Sequence, residues 1–167
     1  YRVLAKDAIS EEDQIKLFIS NNESKTLEFK ETFSLDVKKG SKEKYIEKSA
    51  LKTIGAFLNS EGGELLIGVN DDGNVIGVDE EINKFYKNAD KYLLNFKNHL
   101  KSKVGEGFYP LIDYKIVEVD GKKIMRVSCG IANTPCFLGD TEFYVRSGPS
   151  TDLLEGKKQH EYIKGRF

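Results

Sequence analysis

Three stretches of this 167-residue sequence carry side chains that could do chemistry: Thr26-Leu27-Glu28-Phe29-Lys30, Asp71-Asp72-Gly73-Asn74 and Arg146-Ser147-Gly148-Pro149-Ser150-Thr151. In the first, polar and apolar residues alternate, which predicts a strand with one buried face. Side chains two apart share a strand face, so Glu28 and Lys30 stand together, opposite Leu27 and Phe29. A carboxylate beside an ammonium suits a metal ligand next to a stabiliser of phosphate charge. Carboxylates clustered near phosphate hold Mg²⁺ or Mn²⁺, which orients water and stabilises a leaving oxygen. The second stretch is also what a tight turn demands for its backbone angles. The third offers a cation and hydroxyls at a strand end; it could grip phosphate, and it equally suits a turn leading into a helix.

The elements that must position these residues follow from pattern. Ser10 caps a helix whose apolar side is Ile15, Leu17, Phe18 and Ile19 and which ends at Asn21-Asn22. Ile46, Ala50, Leu51, Ile54, Phe57 and Leu58 recur at helical spacing over Glu43 to Leu58, and Gly62-Gly63 provides the stop. Glu64 to Val69 reads as a buried strand, turned at Asn70–Asn74, with Val75 to Val78 returning as its hairpin partner. One long helix is predicted from about Glu80 to Val104, with Ile82, Phe85, Tyr86, Leu93, Leu94 and Phe96 on its core side. Strands follow at Tyr109–Val119, Lys123–Cys129 and Glu142–Arg146, and a last helix at about Glu155–Lys164. Strands joined mostly as hairpins among helices predict an α+β fold with a mixed, largely antiparallel sheet and flanking helices.

The charge balance is near zero, with 26 Lys+Arg against 27 Asp+Glu, which alone argues against a generic polyanion binder. The distribution says more. Lys38, Lys39, Lys42, Lys44, Lys48 and Lys52 form one basic block; Lys84, Lys87, Lys91, Lys97, Lys101 and Lys103 form another. Between them Glu61, Glu64, Asp71, Asp72, Asp79, Glu80 and Glu81 run without an intervening Lys or Arg. Such blocks can simply solvate helix faces, but two around an acidic stretch also describe a phosphate-binding rim about a carboxylate centre.

Several classes are set aside. No GxxxxGK[ST] exists, so no P-loop nucleotide is expected, and the alternate acids of a calcium loop are missing. Cys129 and Cys136 are too few for a disulfide framework and read as reduced thiols of a cytoplasmic protein. With only His99 and His160 to join them, and at the wrong spacing, no zinc is expected. The histidines lie in Lys-rich helical contexts and Cys129 in an apolar strand, which disfavours a nucleophilic hydrolase. No apolar run nears the ~20 residues of a membrane-spanning helix, so no membrane partner is expected. Tyr1 stands where an initiator Met would be expected, and residues 1–167 read as a single domain belonging to a larger or processed protein.

Four stretches, in order, resemble one family: Glu23 to Lys30, Ala56 to Gly63, Leu65 to Gly73 and Phe143 to Thr151. The chain is similar to the AlbA_2 domain, the module that also forms the lobes of Schlafen proteins, from about Ser10 to the C-terminus. The resemblance implies a Schlafen-lobe-like fold and contact with nucleic acid, RNA or DNA. The two lysine blocks, the Glu28–Lys30 pair and the cation at the third stretch place that contact at Lys48, Lys52, Lys87, Lys91, Lys30 and Arg146. In Schlafen members the resemblance further implies Mg²⁺- or Mn²⁺-dependent endoribonuclease action on structured RNA such as tRNA. The three carboxylates of that site, catalytic and metal-holding, fall on Glu23, Glu28 and Asp71, with Asp72 an alternative for the third. Glu23 and Glu28 converge only if the chain bends near Ser24-Lys25. The structural zinc finger of mammalian Schlafens is not carried over, because its paired cysteines are missing. A regulatory, protein-interaction role remains a third reading, favoured by the near-neutral charge. Schlafen chains pair two lobes, so a single lobe could homodimerise through Phe137, Leu138, Phe143, Leu153, Leu154, Tyr162 and Phe167, unless these close its own core.

Overall fold

Ser10 starts the first helix: its hydroxyl accepts from the Asp13 N–H at 3.1 Å, and α1 runs over Glu11–Asn21. The computed structural model describes residues 9–167; Tyr1 and the rest of residues 1–8 lie outside the described residues. Then follow β1 (Leu27–Lys30), a short hairpin of β2 (Leu35–Asp36) and β3 (Ser41–Lys42), α2 (Lys44–Asn59) and β4 (Gly63–Ile67). Gly62 ends α2 as expected, with φ +74° and its N–H on the Phe57 carbonyl at 2.8 Å. A Cβ there would stand 2.6 Å from the Cys129 carbonyl oxygen, so no other residue fits.

The segment after β4 departs from expectation. Val75 to Val78 is no second strand of a hairpin; a single bridge joins Val69 to Val75. The place beside β4 is taken by β6 (Lys122–Cys129), antiparallel, with Leu65 opposite Val127. The long helix expected over Glu80–Val104 is broken. Asp79–Glu81 (α3) runs into a π turn at Ile82–Tyr86, Lys87 takes φ +74°, and Asn88 caps a new helix, α4 (Ala89–His99), by accepting from the Lys91 N–H at 2.9 Å. A second π turn, Leu100–Val104, closes α4, and a 3₁₀ helix (Glu106–Leu111) occupies the start of the strand expected from Tyr109. The asparagine cap and the local N–H partner it supplies outweigh continuous helical periodicity here.

β5 (Ile112–Val119) pairs with β6 through the Asp120-Gly121 turn, giving a four-stranded sheet in the order β1-β4-β6-β5. Only β1 and β4 are parallel, so the sheet is mixed and largely antiparallel, as the pattern predicts. Beyond it, β7 (Phe143–Ser147) and β8 (Ser150–Leu154) form a separate hairpin against α2, and α5 (Gly156–Arg166) closes the chain. Pro149-Ser150-Thr151 therefore turns into a strand, not a helix.

Both faces of the sheet are covered. α2 and α4 pack Leu51, Ile54, Leu58, Tyr92 and Phe96 onto Leu65, Ile67, Met125 and Val127. On the other face α1 lays Ile15 on Leu27, Phe29, Leu66 and Ile124. Leu17 and Leu94, expected inside, are exposed, whereas Tyr92 is buried. Its hydroxyl explains that: with the Phe33, Ser34 and Leu35 N–H groups and the Ser34 hydroxyl it donates to the buried carboxylate of Glu81. Five donors make the burial of that charge tolerable, and they tie α3 and α4 to the β1–β2 loop.

Candidate nucleic-acid interface

β1 runs along the edge of the sheet with Leu27 and Phe29 toward α1, which leaves Glu28 and Lys30 on the α2 face, as alternation predicts. Lys30 Nζ stands 3.3 Å from Glu28 Oε2. The face is not open, however: Glu28 is itself buried, because β7 brings Arg146 onto it. Arg146 Nη1 donates to Glu28 Oε1 at 2.9 Å and to the Thr151 hydroxyl at 3.0 Å. Nη2 donates to the Ser24 and Leu27 carbonyls and Nε to that of Lys25, while the guanidinium lies 5.0 Å over the Phe57 ring. With its side chain 1% exposed and its donors engaged, Arg146 is a buried clamp. Its donors face the protein interior rather than an external phosphate.

The chain does bend at Ser24-Lys25, and Arg146 holds the bend by two of its carbonyls. The bend brings Glu23 back to β1, where Oε1 accepts from the Phe29 N–H at 2.9 Å. Loss of water pushes the Glu23 carboxyl above its usual range, and the charges of Glu28 and Asp71 add to the rise against the lowering by that N–H. The three acids are thus near enough to feel one another. They do not make a ready metal centre: among the described residues no trio of His, Cys, Asp or Glu is gathered closely enough to hold an ion. Glu28 has both oxygens committed to cations, Arg146 and Lys30. A divalent ion there would have to displace them and sit against two fixed positive charges, so the residues as arranged do not fit one. Asp71 and Asp72 are exposed on a turn organised by Asn70, whose Oδ1 accepts from the Asp72 and Asn74 N–H groups.

Nor is the acidic stretch a single centre. Glu64 pairs with Arg126 at 2.6 Å, Asp79 with Lys123 at 3.3 Å and Glu61 with Lys25 at 3.6 Å, while Glu81 is buried. Its compensating cations come from elsewhere in the chain, which local sequence cannot show.

The two lysine blocks behave differently: the fold brings them together. Lys84 donates to the Gly40 carbonyl in the β2–β3 hairpin, and Lys42 Nζ lies 4.8 Å over the Tyr86 ring. A little further along, Lys44 and Lys48 of α2 line one cleft with Lys103 and His99. Of the contacts expected, Lys87 and Lys91 are exposed at the break between the π turn and α4. Lys48 is exposed and pairs with Glu142 at 2.9 Å; Lys52 lies 6.0 Å over the Tyr144 ring; Lys30 is half-buried at the Glu28 cluster. No local signal in the sequence separates Lys42, Lys44, Lys84 or Lys103 from the other lysines of their blocks.

Of the apolar residues suggested for a dimer, Leu138 and Phe143 are buried, and Phe143 packs on Phe137 and Tyr162. These close the domain's own core; Leu153 and Phe167 remain exposed. Among the described residues no helix is long and apolar enough to cross a membrane.

Fold and site together define a class: an α+β domain with a mixed sheet covered on both faces and a buried carboxylate–guanidinium clamp on its edge strand. The Schlafen AlbA_2 family model matches residues 23–155, and the chain belongs to that family. No curated protein matches it significantly. Among solved structures it is similar to the N-terminal domain of a RecG-related protein from Nitrosomonas europaea, at 21% identity and TM-score 0.54, covering 90% of this chain and 97% of that one. It is also similar to the DIP2311 protein from Corynebacterium diphtheriae, at 16% identity and TM-score 0.58, covering 85% of this chain. The chain spans only 24% of that second protein's length. At these identities the likeness speaks for the fold.

Proposed function

We propose that this domain binds nucleic acid through the lysine face that joins the β2–β3 hairpin, the start of α2 and the ends of α4. The observation that carries this reading is the meeting of two lysine blocks distant in sequence: Lys42 with Tyr86, Lys84 with Gly40, and Lys44 and Lys48 with Lys103. Bringing like charges together opposes folding unless they are solvated or meet a polyanion, and a phosphate backbone is the polyanion such a face suits. The family supports it, as does the name of the Nitrosomonas europaea relative, which refers to an ATP-dependent DNA helicase. Binding rather than cleavage is the reading, since Glu28 is held by cations.

The test is fluorescence anisotropy with labelled tRNA, duplex DNA and single strands. Affinity should fall steeply between about 50 and 200 mM salt, as phosphate contacts dictate. No binding to any of the three at low salt would overturn the proposal and favour a protein-interaction role. Incubation with Mn²⁺ or Mg²⁺ runs alongside. Cleavage lost in Glu23→Gln or Asp71→Asn would replace it with the nuclease reading; Glu28 variants are unsuited, because they strand Arg146 in the interior.

A further inference from the structure

Tyr45, in the first turn of α2, stands 50% exposed where that helix joins the β2–β3 hairpin. Among the described residues the only other exposed aromatic side chain is Phe167, past the end of α5. A single apolar residue on a surface needs no explanation in itself. Two features set this one apart.

The ring is held. The Tyr45 hydroxyl donates to Asp36 Oδ2 in β2, and Asp36 Oδ1 accepts from the Lys38 and Lys39 N–H groups, each at 3.0 Å. One carboxylate thus fixes the ring and the turn of the hairpin together. A ring tied at its tip has given up rotamer freedom before any ligand arrives, so contact with it costs little further entropy.

Its neighbours are cations. Lys39 Nζ lies 5.4 Å over the ring, and Lys38, Lys42 and Lys44 are exposed on the same hairpin and helix start. Asp36 also lines a groove of about 270 Å³ with Lys30, Lys38, Ile46 and the exposed Val37. Lysines alone take any polyanion. A flat, fixed ring among them adds a match that only a base supplies, because every base has a π-face. A duplex hides those faces in its stack, whereas an unpaired strand presents them. An acidic peptide would answer the lysines and leave the ring unmatched.

We infer that Tyr45 is a stacking platform for one base of an unpaired strand, with the adjoining phosphates on Lys38, Lys39 and Lys42. This rests on the proposed nucleic-acid binding and deepens it, adding a preference for single strands to a salt-dependent face.

The chain contains no tryptophan, so Tyr45→Trp puts a single indole at the platform. Its emission is followed in the full chain titrated with an oligothymidylate of about 12 nucleotides, a DNA duplex, and heparin, a polyanion without bases. The single strand should quench the indole, while duplex and heparin should bind without quenching it. Tyr45→Ala should weaken single-strand binding in anisotropy at least about fivefold, the loss of one stacked base, and leave duplex affinity and the salt slope unchanged. Equal quenching by heparin would overturn the base assignment, and equal quenching by duplex the preference for unpaired strands. Single-strand binding with unmoved emission would sink the platform and leave the proposed function standing. Failure of the parent chain to bind any polynucleotide would overturn both.

Discussion

Arg146 Nη1 stands 2.9 Å from Glu28 Oε1, with the arginine side chain 1% and the glutamate side chain 11% exposed. This pair joins the β7–β8 hairpin to the edge strand of the main sheet, and through the Ser24 and Lys25 carbonyls it also sets the bend that carries Glu23. Removing one partner of a buried pair leaves the other uncompensated, at about 3–5 kcal/mol. Arg146→Ala is therefore expected to lower the melting temperature by roughly 10 °C, given 2–4 °C per kcal/mol at this chain length. The double variant Glu28→Leu/Arg146→Met should recover part of that loss in urea unfolding. Arg146→Ala that melts like the parent would contradict the clamp.

Glu81 accepts from five donors, so an amide in its place would turn an NH₂ group toward N–H and O–H groups. Glu81→Gln should cost roughly 2–4 kcal/mol, close to the cost of Glu81→Ala. Equilibrium urea unfolding of the two variants checks this; a near-neutral glutamine variant would show that the carboxylate's charge is not what the donors require.

Glu23 carries a pH signature. Its carboxyl is raised above the ordinary 4.5, first by loss of water and then by Glu28 and Asp71. A raised value in the folded state means that the folded chain binds the proton more tightly than the unfolded chain. Stability is therefore lost as pH rises from 4.5 through the raised value. Glu23→Gln keeps an acceptor for the Phe29 N–H and carries no charge. It should melt above the parent at neutral pH, and the gap should close as pH falls below about 4. Calorimetry across that window decides; a gap that stays constant with pH would assign the effect to packing.

Charge reversal at Lys42 or Lys84 should weaken binding of every nucleic-acid sequence alike and reduce the salt dependence by about one phosphate contact each. The same is expected at Lys87 and Lys91. Lys30, half-buried beside Glu28, should affect stability as well as binding. Anisotropy at several salt concentrations reads both quantities, and unchanged slopes would remove these residues from the face.

Burial pushes the Cys136 thiol up to about 12 and the Cys129 thiol higher still. Neither offers thiolate near neutrality, so both should resist a thiol reagent in the native chain and react on unfolding. Prompt reaction of either without denaturant would show that the core opens around it.

Much of this protein was determined by sequence alone. Ser10 and Gly62 bound their helices because capping and left-handed backbone are local demands, met by the residue itself and its near neighbours. The pairing of Glu28 with Lys30, the Asp120-Gly121 turn and the mixed sheet follow from the same short-range periodicity. The break at Asn88 was legible in principle, an asparagine with an acid two residues on, but the apolar spacing of Ile82 to Phe96 masked it. Tertiary structure decided the rest. Val75 to Val78 had the pattern of a strand, yet β1 and β6 take the two sides of β4. Arg146 looked like a surface cation until a hairpin more than a hundred residues from Glu28 buried the two together. The acidic stretch looked like one centre until Arg126 and Lys123 reached it from β6. The lysine blocks became one face by the same route. Charges act through space, and only the folded chain says which of them are neighbours.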